Sequence, residues 1–171
     1  MRFAAMDIEA TRLDATLGRL LCCCFKFFDE DKVRTIIVRK LANEKKAVQK
    51  ILDTLKEVDI LVTWNGKHYD VPFLNACCLA YRLEPVPSKL HLDLLPHHRY
   101  YFRTLGHSLD ASSAHAQLLN RKYHTPMNLW RSAAEGDKES IAEVIKHCEQ
   151  DVRVTEEMCR IMAPYIRNIT R

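Results

Sequence analysis

No run of these 171 residues approaches the ~18 to 20 uninterrupted apolar positions of a membrane helix, so no membrane association is expected. The N-terminal stretch MRFAAMDIEAT meets an acidic pair too early to hold the apolar core of a signal peptide. An intracellular, cytoplasmic protein is therefore expected. Cysteine pairs at CxxC spacing are missing as well: Cys22, Cys23 and Cys24 are consecutive, Cys77 and Cys78 adjacent, Cys148 and Cys159 isolated. Their number, seven, is odd, and neighbours on a strand point to opposite faces. Small buried hydrophobes are expected rather than a disulfide framework. His91, His97, His98, His107, His115 and His124 have no cysteines at a finger spacing, which argues against structural zinc. No repeat, low-complexity linker or break in composition divides the chain, so a single domain over 1–171 is expected. A net charge of +4 permits a polyanionic partner without demonstrating one.

Apolar residues make up 47% and charged residues 28% of the chain, as in an ordinary globular domain. Residues 2–8, 18–28 and 33–38 read as strands, and the polar DEDK between the last two predicts an antiparallel meander. Val48, Ile51, Leu52 and Leu55 fall at helical spacing within an amphipathic segment over 43–57. A short strand, DILVTW, precedes Asn65 and Gly66, and 70–83 reads as helix with Pro72 in its first turn. The segment KLHLDLLPHHRYYF holds a short strand followed by a helix, and Ser108 caps another through about 119. Residues 120–130 read as a connection. Asp137 opens a helix with Ile141, Val144, Ile145 and Cys148 on one face, and a final helix runs over about 151–166. The pattern predicts an α/β fold in which an antiparallel meander joins parallel strands in a mixed sheet flanked by helices.

Carboxylates carry the chemistry. Asp7 and Glu9 stand two apart on a strand and so leave the same face. Asp70 sits at a strand-to-helix corner, the kind of place where α/β sheets gather ligands. His147 and Asp151 are four apart and share a face if one helix runs through both. Each also has a bland role: solvated edge, helix cap, or surface pair. Taken together, the acids repel one another unless a hard divalent cation neutralises them, and the set suits two-metal phosphoryl transfer. In that scheme Asp7, Glu9, Asp70 and Asp151 hold two ions of Mg²⁺ or Mn²⁺. His147, of a residue type with an ordinary pKa of about 6.5, accepts a proton from the attacking water.

In DIEAT, WNGKHYDVPFL and HCEQDVRVTEEM, taken in order, the chain resembles the DEDD superfamily of 3′–5′ exonucleases. HLDLL, SLDASSAHAQLL and NLWRSAAEGDKESI are similar to segments of family-B DNA polymerase proofreading domains and related exonucleases. The resemblance implies a ribonuclease-H-like fold and places the family's metal acids on Asp7, Glu9, Asp70 and Asp151. One departure stands out. The family's tyrosine subgroup has Tyr four residues before the last Asp and its histidine subgroup has His five before; here His147 occupies the four-before position.

Resemblance also implies that Ile8, Ala10 and Thr11 approach the terminal nucleotide. Asn65 and Lys67 border the second motif, where they can reach the substrate. RYYFR offers cations and aromatic rings for unpaired bases, though an aromatic face packed on the sheet is the commoner use, and Trp64 and Trp130 read as core. Asp93 and Asp110 read as turn or helix-start residues. The implied activity is removal of nucleotides from DNA 3′ ends, preferentially single-stranded, with a polymerase or other replication or repair protein as a possible partner. An exoribonuclease and a non-catalytic nucleic-acid-binding or polymerase-accessory module are the alternatives; the full acid set weighs against the second.

Overall fold

The computed structural model describes residues 1–119 and 129–169. Five strands form one mixed sheet in the order β3-β2-β1-β4-β5. β1 (Phe3–Ala10), β2 (Leu20–Phe27) and β3 (Arg34–Ile37) make the expected antiparallel meander. β4 (Ile60–Thr63) and β5 (Leu90–Asp93) add in parallel beside β1. Parallel pairing needs crossovers, supplied by α1 (Glu44–Lys56) before β4 and α2 (Asp70–Tyr81) before β5. The expected α/β fold with a mixed sheet is the one observed.

The strand period of two divides the core. Ala4, Met6, Ile8, Cys23 and Phe25 face α1 and α2, meeting Val48, Ile51, Leu55, Phe73 and Leu74. Ala5, Cys22 and Cys24 face the other way, toward Val144, Cys148 and Val152. All seven cysteines are buried and free, as small hydrophobes would be.

Beyond β5, α3 (Leu94–Tyr101) and α4 (Leu109–His115) lead to α5 (Leu129–Ala134) and the long α6 (Lys138–Met162). Ser108 does cap α4, accepting from the Ala111 amide, but the helix stops at His115, ahead of Gln117 with its left-handed φ of 56°. Residues 120–128 of the expected connection lie outside the described residues; Leu129 and Trp130 already belong to α5. The two helices read from Asp137 onward are one. No Gly or Pro interrupts 138–162, and the apolar stripe Val144, Cys148, Val152, Thr155, Met158, Met162 continues without a break. No helix among the described residues is long and apolar enough to cross a membrane.

Candidate metal centre

Asp7 and Glu9 alternate with Ala5 on β1 and so emerge on the side of the sheet covered by α6. Glu9 is held from two directions. Trp130 Nε1 donates to its Oε2 at 2.7 Å, and His147 Nε2 lies 3.5 Å from its Oε1. The same imidazole nitrogen is 3.8 Å from Asp151 Oδ2, so the unbroken α6 does put His147 and Asp151 on one face. The rings of Trp130 and His147 meet edge to face at 5.5 Å. Glu9, His147 and Asp151 present ligand atoms within 4.8 Å of one another.

Asp70 joins from α2. Its Oδ1 accepts the Ile8 amide at 3.0 Å, which fixes the corner against β1 between Asp7 and Glu9. Burial pushes the Asp70 carboxyl up to about 7; Asp93 and Asp151 add to the rise, and the Ile8 amide opposes it. Burial likewise raises the neighbouring Tyr69 phenol, and the charges of Asp70, Glu9 and Asp7 all contribute, so these acids share one electrostatic neighbourhood. Glu9, Asp151 and the buried Asp70 carboxyl, which feels the charge of Asp151, offer oxygen ligands of the kind that hard divalent cations such as Mg²⁺ or Mn²⁺ prefer.

Other expected site residues divide. Ile8 and Ala10 are buried on the α1–α2 side of the sheet, because alternate strand positions face opposite ways. Their side chains pack in the core there, and the Ile8 amide is given to Asp70. Thr11 closes a local turn, its Oγ1 accepting the Arg19 amide. Asn65, in the left-handed region at φ 69°, and Lys67 both donate backbone amides to Asp93, at 2.8 and 3.0 Å. Asp93 also caps α3 through the Leu95 amide, so the expected helix-start residue organises the loop beside Asp70 as well. Asn65, Trp64, Arg99, His107 and Asp151 line a cleft of about 590 Å³. Tyr100 of the RYYFR segment is 82% exposed, whereas Phe102 packs on Tyr165.

Sequence reading missed the role of Trp130, taken as core, and the gathering of Cys22, Cys24 and Cys148 behind the acids, where Cys148 Sγ donates to the Asp7 carbonyl. For the thiols a signal existed: Cys22 and Cys24 alternate like Asp7 and Glu9.

The chain has relatives. A 26% identical match over 113 residues, covering 49% of this chain and 7% of the relative, is to a DNA polymerase of Methanocaldococcus jannaschii. The family B DNA polymerase of the hyperthermophilic archaeon Pyrobaculum calidifontis shares the fold, with a TM-score of 0.80 and 17% identity over 96% of this chain and 25% of that one. The chain thus spans a minor part of either polymerase. A family model described as the RNase_H superfamily matches residues 4–163, nearly the whole length, and the chain belongs to that superfamily.

Proposed function

We propose that this chain is a metal-dependent 3′–5′ exonuclease acting by preference on single-stranded DNA, with Asp7, Glu9, Asp70 and Asp151 holding two Mg²⁺ or Mn²⁺ ions. Superfamily membership and likeness to DNA polymerases point to a nuclease; the polarity and the preference for DNA rest on the motif resemblance. The observation that carries the reading is the convergence on β1 from both sides: Asp70 of α2 bonds the amide between Asp7 and Glu9, while α6 brings His147 to within 4 Å of both Glu9 and Asp151.

When bound, the ions would supply Lewis-acid activation of water and stabilise the charge on the leaving oxygen. The chain's own groups do the rest. Trp130 orients Glu9, leaving its remaining lone pairs available as a ligand. His147 accepts the proton of the attacking water at Nε2, where Glu9 and Asp151 stabilise the resulting imidazolium. Asn65 and Lys67, on the loop clamped by Asp93, approach the substrate from the cleft side.

Digestion of 5′-labelled single-stranded DNA and RNA with Mg²⁺ or Mn²⁺ tests the reading. A ladder shortening stepwise from the 3′ end, abolished by chelator and by Asp7→Ala, is expected. Cleavage that survives a blocked 3′ terminus would indicate an endonuclease, faster digestion of RNA an exoribonuclease, and binding without cleavage an accessory module.

A further inference from the structure

We infer that the β3 edge of the sheet is a second nucleic-acid contact, a phosphate track that holds the strand upstream of the 3′ end at the acids. The inference rests on the exonuclease reading above. Two grooves flank β3. One, about 360 Å³, lies toward α1 and is lined by Arg39, Lys46 and Lys50; the other, about 510 Å³, lies toward α6 and is lined by Arg39, Lys40 and Lys138. All five cations are exposed, and none is in an ion pair among the described residues.

The bland explanation is that charges blunt a sheet edge against aggregation. That role belongs to the strand itself, and there Arg34 is already engaged by Glu30 and Glu57. Two of the unpaired cations stand instead where helix physics disfavours them. Lys46 is in the first turn of α1, at the positive end of its dipole, and Lys46 and Lys50 form a like-charged i,i+4 pair. A bound polyanion relieves both conflicts. Segment 39–50 carries five cations against one acid, Glu44, whose carboxylate is buried on the Leu20 amide and the Tyr81 hydroxyl. Its net +4 equals the charge of the whole chain, so the rest is balanced.

Placement joins this surface to the acids. Ile37 pairs with Cys22, and Cys22 with Glu9, so the basic end of β3 lies two strand spacings, about 10 Å, from Glu9 at the same end of the sheet. The apolar floor of the second groove, Ile37, Ile141 and Ile145, can carry sugars and base faces while the rim holds phosphates.

The test is fluorescence anisotropy of the full chain in EDTA, with 6- and 30-nucleotide single-stranded DNA, comparing wild type with Arg39→Gln/Lys46→Gln/Lys50→Gln/Lys138→Gln. The variant should lose at least tenfold in affinity for the 30-mer and little for the 6-mer. Its salt dependence, log K against log[salt], should flatten by about 3, since each of four lost phosphate contacts contributes roughly 0.7. Should the fourfold variant misfold, Lys46→Gln/Lys50→Gln should give about half that flattening. Unchanged 30-mer affinity and slope would overturn the inference. So would a polyglutamate peptide whose binding, unlike that of the 30-mer, is lost in the variant. Hydrolysis with Mn²⁺ is read separately. A lost binding increment in a protein that cuts nothing would sink the exonuclease reading alone, and intact binding in an active exonuclease would sink the track alone.

Discussion

Trp130 Nε1 donates a 2.7 Å hydrogen bond to Glu9 Oε2 across 121 residues of sequence, while His147, which also faces Asp151, lies 3.5 Å from the other oxygen. Groups that orient a metal ligand typically matter 10- to 100-fold. Trp130→Phe keeps an aromatic ring beside His147 and removes the donor together with part of the indole. The Mn²⁺ concentration for half-maximal cleavage should rise at least about tenfold, with the urea midpoint near wild type. An unchanged metal titration would show that the indole only packs.

Asp70 separates two roles. Its Oδ1 is structural, satisfying the Ile8 amide, while its charge is costly in this buried corner. Asp70→Asn can keep the acceptor and drop the charge, so in EDTA at pH 8 it should melt at or above wild type while losing metal-dependent cleavage. Asp70→Ala strands the buried amide and should be less stable than Asp70→Asn by roughly 1–3 kcal/mol, measured by urea unfolding.

Much of the scaffold was readable because period and burial agreed. Alternating residues of β1 and β2 and the i, i+3, i+4, i+7 stripe of α1 each pointed to one answer, and each element formed close to where expected. Local signals conflicted at α6. Asp151 looks like a helix start, yet it is an interior residue on a continuous stripe, and tertiary packing on β1 and β2 decides. Neither the Trp130–Glu9 bond nor the triple use of Asp93 was legible, since both depend on elements that meet only in the folded chain. The burial of Ile8 and Ala10 follows from the strand period itself: they alternate with the acids, and their side chains face the other way.

Gly66 is fixed by close approach. A Cβ there would come within 2.5 Å of the Thr63 side chain, whose Oγ1 accepts the Gly66 amide. Gly66→Ala should cost about 1–3 kcal/mol in urea unfolding, as overpacking does, and displace the Asn65–Lys67 loop enough to raise KM for single-stranded DNA. Wild-type stability and KM together would contradict this.

His91 gives a pH dependence remote from the acids of β1. It is buried on β5, hydrogen-bonded with Thr63 Oγ1 at 2.8 Å, and burial lowers its pKa to about 4. A depressed imidazole means that the unfolded chain binds the extra proton. Stability is therefore intact above about 6.5, is lost as pH falls, and has lost nearly its full increment near 4, about 3 kcal/mol. Unfolding free energies from urea titrations at pH 7.5 and 4.5 should differ more for wild type than for His91→Asn by that amount. Equal differences would remove His91 as the cause.

The most direct test of a single catalytic centre is the single-turnover rate on single-stranded DNA at saturating Mn²⁺ for Asp7→Asn, Asp151→Asn and the double variant, with folding checked by circular dichroism. Groups that act as a unit are not additive. The expected result is that each single variant falls close to background and the double falls no further. Singles that keep most of the wild-type rate, or losses that multiply in the double, would contradict a shared centre.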